Sequence, residues 1–211
     1  MSRTVSNPGT QAEQLGPVCA TQHARKFLPF GTAVGNTTSA AAMLAALTDA
    51  SPSDCCGRGT GLDDAGVAGK IEIVTRALER HADAMSCAAA PERARRVLAA
   101  LGGLEIAAMV GAYLEASERS CVAVVDGFIS SVAALCAASI EPSCRDAMVL
   151  ATVSGERGGV RVAEALGRER PALDMGLRLG EGSGAALALP LLRAAADLVT
   201  KMATLDEAMQ L

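Results

Sequence analysis

The sequence predicts an α/β fold with three layers, a mainly parallel sheet flanked by helices. Three observations lead there. Half of the 211 residues are apolar but only 2% are aromatic, so the core must be built from Ala, Leu, Val and Ile, which suits close-packed helices and buried parallel strands. The run "CVAVVDGF" (121–128) sets five apolar residues before Asp126 and Gly127, the form of a buried parallel strand ending at a functional edge. Strand-like runs also alternate with helix-like ones along the chain.

In order, residues 1–30 mix Pro, Gly, Gln, Ser and Thr without period and read as an irregular leader, with the α/β domain over 31–211. "GNTTSAAAMLAALTDA" (35–50) opens with small polar residues and continues as a strong helix former, with Asn36 or Thr37 as the expected cap. "CCGRGTGLDDAGVAGKIEIVTRALERHA" (55–82) gives a glycine-rich loop, an acidic pair and an amphipathic helix from about Asp64 to His81. Asp63 and Asp64 complement the positive end of that helix. A charged segment, 91–100, and "GGLEIAAMVGAYLEASERS" (102–120) each predict a helix, and another over 128–139 follows the strand at 121–125. "RDAMVLATVSGE" (145–156) predicts a strand and loop, "ALDMGLRLGEGSG" (172–184) a strand and turn, and 184–199 the last core helix. Pro190, Arg193 and Asp197 interrupt that last stretch, which reads as too short and too polar to span a bilayer.

Composition excludes several classes. A net charge of −4 and scarce aromatics argue against nucleic acid as partner. Seven cysteines, an odd number without C-x-x-C spacing, indicate neither a disulfide framework nor a zinc ribbon, and read as reduced, buried thiols. The adjacent Cys55–Cys56 pair reads as packing rather than redox chemistry. With only His23 and His81, a metal cluster or a histidine-based triad is not expected. The first thirty residues lack the apolar stretch of a secretory signal.

The loops offer chemistry. "GNTTSA" (35–40) and "GRGTGLDD" (57–64) each place glycines and hydroxyls just before a helix, where backbone N–H groups attract phosphate. Neither is a nucleotide fingerprint, and each alone also fits a capped turn. Lys70, about two turns into the second helix, is near enough to supply a cation, or is a solvated surface lysine. Asp126 positions a ligand or caps the helix that follows it. Glu181, framed by Gly180, Gly182 and Gly184 and expected in apolar surroundings, is the better acid–base candidate, with a structural turn as the alternative. In parallel sheets ligands bind beyond the carboxyl ends of the strands. The loops at Asp126–Gly127, Ser154–Glu156 and Gly180–Gly184 are therefore expected on one rim.

Five segments together resemble the nicotinate-nucleotide–dimethylbenzimidazole phosphoribosyltransferase family: "GNTTSAAAMLAAL", "GRGTGLDDAGVAGKI", "ALGGLEIAAMVGAYL", "VVDGFISSVAAL" and "LDMGLRLGEGSGAALALPLLRAA". The resemblance implies transfer of ribosyl phosphate from nicotinate mononucleotide to 5,6-dimethylbenzimidazole, giving α-ribazole 5'-phosphate and nicotinate. Glu181 matches the catalytic glutamate of the family's "GEG(S/T)GA" and would be the general base. Gly35, Asn36, Thr37, Gly57, Gly59, Thr60, Lys70, Ser154 and Gly182 would bind substrate and phosphate. The resemblance further implies a cytoplasmic homodimer with no cofactor or metal and no membrane or nucleic-acid partner.

Two motifs depart from the family. "FGTAVGNTT" (30–38) stands where members read "GEMGIGNTT", which puts Gly31 in place of a glutamate and Ala33 in place of a glycine. "ATVSGERGG" (151–159) keeps Ser154 and Glu156 of "SH-x-S-x-E-x-G-H" but neither histidine. Members are also much longer, so a fold truncated on its N-terminal side is expected, with an exposed edge and apolar face that dimerisation would partly cover. The alternative expectation is a catalytically incompetent homologue that binds a nucleotide monophosphate or a partner subunit.

Overall fold

The computed structural model describes residues 26–27, 35–59, 61–86, 89–152, 154–168, 171–177, 181–203 and 205–209. Its centre is a parallel three-stranded sheet in the order β1 (Lys26–Phe27), β2 (Val122–Val125), β3 (Met148–Leu150). Ala123 pairs with Met148 and Val125 with Leu150, so β2 and β3 end together at Asp126 and Ala151. Past β3, Leu173 donates its N–H to Ala151 O at 2.8 Å, and Thr152 and Leu173 form a parallel bridge. The strand expected within 172–184 is thus a single bridge among the described residues.

Side chains alternate across β2. Ala123 and Val125 join the main core, whereas Val124 faces the other way with Ala151, Ala185 and Ala188. Helices therefore cover both faces, and the three-layer α/β arrangement holds. The main layer contains α1 (Asn36–Thr48), α2 (Pro52–Cys55), α3 (Asp64–Arg80), α4 (Ala82–Met85), α5 (Ala90–Leu101), α6 (Leu104–Glu118), α7 (Phe128–Ile140) and α8 (Arg157–Ala165). The opposite face carries α9 (Ser183–Lys201), and α10 (Leu205–Ala208) follows it.

Small residues set the packing. α1 buries Ala40, Ala41, Ala42, Ala45 and Ala46, and α7 buries Ala133, Ala134, Ala137 and Ala138 against it. Gly158 lets α8 close on the same layer, since a Cβ there would stand 2.7 Å from a Phe128 ring carbon and 3.0 Å from Cys55 O. Cys55, Cys56, Cys136 and Cys144 are free and buried. Burial pushes the Cys136 thiol up to about 12 and Cys55 up to about 11, so these sulfurs stay protonated and act as small hydrophobes.

One expectation about helix starts changes and one holds. α1 is entered through Gly35 at φ +82°, with no capping side chain, so Asn36 and Thr37 belong to its first turn instead of capping it. Glycine takes that left-handed backbone without the Cβ clash that Asn or Thr would meet. α3 does use its predicted acid, with Asp63 Oδ1 accepting the Gly66 N–H at 2.8 Å.

The last long helix is not a core helix. α9 runs unbroken through Pro190 and buries only Gly184, Ala185 and Ala188 among its described residues. Leu187, Leu191, Leu198 and Val199 are exposed, the last two by 61% and 85%. At 19 residues and a mean hydropathy of 1.2, it is long and apolar enough to cross a membrane by length and composition. The expectation that this stretch is too short and too polar fails because Pro190 does not end the helix.

Candidate active site

The first cluster forms around a buried lysine. Lys70 sits on the inner face of α3 and is only 5% exposed, so the solvated-lysine reading is excluded. Its ammonium donates to Thr37 Oγ1 at 3.0 Å and to Gly57 O at 3.3 Å. These bonds tie the start of α1 to the glycine-rich loop before α3. Burial lowers the Lys70 pKa and the Glu156 carboxylate nearby pushes it back up, so the cation is held against desolvation by that charge.

The loop is shaped for close approach. Gly59 has φ +56°, and a Cβ there would lie 3.5 Å from Thr37 Oγ1. A Cβ on Gly57 would fall 2.0 Å from Glu156 Oε2, so only glycine admits the Glu156 carboxylate at this point. Arg58 braces the loop through an ion pair with Asp64 and a bond from Nη1 to Leu62 O at 3.0 Å. Asn36, 8% exposed, leaves Nδ2 buried and without a partner among the described residues, as does Glu156 with Oε2.

The second cluster forms at the ends of β2 and β3. Asp126 is buried and accepts the Gly182 N–H on Oδ2 at 3.1 Å and the Ala185 N–H on Oδ1 at 2.8 Å. It therefore caps α9, not the helix that follows it in sequence, and the Glu181–Gly182 turn is fixed to the carboxyl end of β2. Gly184 makes room for this contact, because a Cβ there would lie 2.7 Å from both Asp126 Oδ1 and Thr152 Cγ2. Glu181 holds a left-handed backbone, φ +56°, a conformation that costs a residue with a Cβ about 1–2 kcal/mol. It is exposed rather than set in the apolar surroundings expected of it.

One short stretch joins the clusters. Thr152 packs against Gly184, and Glu156, four residues on, packs against Gly57. Between them Ser154 Oγ accepts the Glu156 N–H at 3.3 Å and shapes the turn into α8. Asp126–Gly127, Ser154–Glu156 and Glu181–Gly184 thus lie at the same end of the sheet, as expected. Thr60, Gly31 and Gly180 lie outside the described residues. Among those described, no group of three or more His, Cys, Asp or Glu side chains is placed to hold a metal ion. The sequence left Asp126 open between positioning a ligand and capping the helix that follows, and placed the Ser154–Glu156 loop on the rim without counting Glu156 among the binding residues.

A family model described as "Phosphoribosyltransferase" matches residues 14–209. The chain belongs to the nicotinate-nucleotide–dimethylbenzimidazole phosphoribosyltransferase family. The match begins inside the stretch read as a leader. The enzyme of that name from Pseudomonas aeruginosa strain PAO1 is 50% identical over 199 residues, 94% of this chain and 52% of that protein. Its namesake from Bradyrhizobium sp. strain ORS 278 is 51% identical over 187 residues, 88% of this chain and 52% of that protein. The crystal structure of CobT from Thermus thermophilus superposes with a TM-score of 0.81 at 39% identity, covering 95% of this chain and 56% of that one. The chain spans about half the length of these phosphoribosyltransferases.

Proposed function

We propose that the protein transfers ribosyl phosphate from nicotinate mononucleotide to 5,6-dimethylbenzimidazole, giving α-ribazole 5'-phosphate and nicotinate, with Glu181 as general base. The observation that carries this reading is the common rim, on which the Lys70 cradle and the Asp126-fixed Glu181 turn are joined by residues 152–156. The phosphate sits at the cradle, held by the Lys70 ammonium and by N–H groups around Gly35, Asn36, Thr37, Gly57, Gly59 and Thr60, with Ser154 and Gly182 bordering the substrate.

The chemistry needs one proton acceptor. Nicotinate leaves as the bond from ribose C1' to its ring nitrogen breaks, and the bonding pair returns to that nitrogen. A benzimidazole nitrogen attacks C1' from the opposite face, which inverts the anomeric configuration. The proton on its other ring nitrogen passes to the Glu181 carboxylate. The departing pyridinium already carries positive charge, so no acid is needed to expel it. We place the reaction in the cytoplasm and in a homodimer, where a second copy would cover the exposed rim around Glu181.

The test is turnover of nicotinate mononucleotide and 5,6-dimethylbenzimidazole by the purified chain beside Glu181→Gln. Product from the first, and at least a hundredfold less from the second, is the expected result, within the usual range for removal of a general base. A second reading is favoured by the exposure of Glu181: a homologue without transferase activity that keeps the phosphate cradle and binds a nucleotide monophosphate or a partner subunit. Phosphate binding without turnover would select it.

A further inference from the structure

We propose that Glu156 accepts a hydrogen bond from a sugar hydroxyl of the bound ribosyl phosphate, and so makes the cradle select a phosphorylated sugar over a simple alkyl phosphate. The inference rests on the ribosyl-phosphate reading above. Two buried polar atoms next to the cradle lack partners among the described residues, and they are of opposite kind. Asn36 Nδ2 is a donor and Glu156 Oε2 an acceptor. A buried group left without its hydrogen bond is costly, so a ligand that offers an acceptor to one and a donor to the other would be held by both.

Both atoms belong to one chain of contacts. Asn36 precedes Thr37, Thr37 Oγ1 receives Lys70 Nζ, Lys70 Nζ also reaches Gly57 O, and the Glu156 carboxylate lies against Gly57. Lys70 has two acceptors among the described residues, which leaves its third ammonium proton for a ligand. A phosphate oxygen satisfies that proton and Asn36 Nδ2. A fully ionised phosphate monoester cannot satisfy Glu156 through its phosphate, since a carboxylate and a dianionic phosphate both only accept and repel each other. A ligand that places a hydroxyl beside the phosphate satisfies all three. Ribosyl 5-phosphate is of that class, whereas dianionic simple alkyl phosphates are not. Glu156 also balances the buried Lys70 charge before the ligand arrives.

The experiment is calorimetric titration of the full chain, and of Glu156→Gln and Glu156→Ala, with ribose 5-phosphate and with propyl phosphate. The wild type should prefer ribose 5-phosphate by roughly tenfold or more, the scale of a hydrogen bond to a charged acceptor. In Glu156→Ala the preference should fall to near unity, because the sugar hydroxyl has lost its acceptor. Glu156→Gln should lie between. A wild-type preference below about twofold, no binding of ribose 5-phosphate, or an undiminished preference in Glu156→Ala overturns the inference. Should Glu156→Ala fail to fold, an undiminished preference in Glu156→Gln does the same. A Glu156-dependent preference without transfer from nicotinate mononucleotide overturns only the transferase reading; transfer without that preference overturns only this one.

Discussion

Asp126 Oδ1 accepts the Ala185 N–H at 2.8 Å across 59 residues of chain. This bond, with its neighbour to Gly182, makes the end of β2 and the start of α9 a single object. A strand-end carboxylate here does the work that a capping side chain usually does from inside its own helix.

Asp126→Ala should therefore act on both stability and turnover. It leaves one buried and one part-buried N–H group without an acceptor, which costs about 1–3 kcal/mol. Urea denaturation should read that loss, and hydrogen exchange should speed up at Gly182 and Ala185. Product formation should fall at least tenfold because the Glu181 turn is no longer anchored. Unchanged exchange at those two amides would contradict the assigned role.

Glu181→Gly should separate fold from function. The left-handed backbone at this position suits glycine, so the substitution should raise stability by about 1 kcal/mol in thermal or urea unfolding. The same variant should lose the proposed transfer. A variant more stable and inactive is the signature of strain kept for use. Lower stability would mean that the Glu181 side chain makes a contact worth more than its backbone strain.

Lys70 gives a pH dependence with a definite sign. Burial lowers its pKa below the ordinary 10.5, so the folded state releases this proton before the unfolded chain does. Stability attributable to Lys70 should rise with pH between the lowered folded value and the unfolded one. Phosphate affinity should fall as pH climbs through the folded value, earlier than for a solvated lysine. Lys70→Met should remove that pH dependence and weaken phosphate binding at neutral pH by tenfold or more, near the scale of one charge-assisted bond. Titration with inorganic phosphate across alkaline pH checks both statements.

Two glycine substitutions should differ in kind. At Gly57 a new Cβ meets the far end of the Glu156 side chain, which can swing away, and stands 3.1 Å from the Arg157 backbone N, so Gly57→Ala should cost about 1 kcal/mol of stability and disturb ligand binding. At Gly184 the new Cβ meets Asp126 and Thr152, both buried, so Gly184→Ala should cost about 1–3 kcal/mol by overpacking. Paired denaturation and titration curves distinguish the two.

Some of this was legible in the sequence and some was not. β2 could be read because five apolar residues in a row are hard to place anywhere but between two helical layers. The start of α3 could be read because Asp63 and its Gly66 partner lie three residues apart. The true partner of Asp126 could not, since a capping bond across 59 residues leaves no local pattern. α9 was misread for a related reason. Alanine and leucine report what a helix can bury, whereas Leu198 and Val199 stay exposed because no described element lies over them. Lys70 and Glu181 show the limit for single residues. The lysine expected beside the glycine-rich loop is there and buried, while the acid expected among apolar neighbours is exposed, and burial depends on distant chain in both cases.

The thin attachment of α9 has a consequence for how the molecule comes apart. A helix that buries three small residues and leans on the sheet mainly through Ala185, Ala188 and the Asp126 cap opens at a far lower free energy than helices packed like α7. Warming or mild denaturant should release α9 as a unit while the Lys70 cradle keeps its shape. Partial opening would disable the proposed base first and leave the Lys70 cradle intact, so loss of the proposed turnover should precede loss of phosphate binding along any unfolding curve.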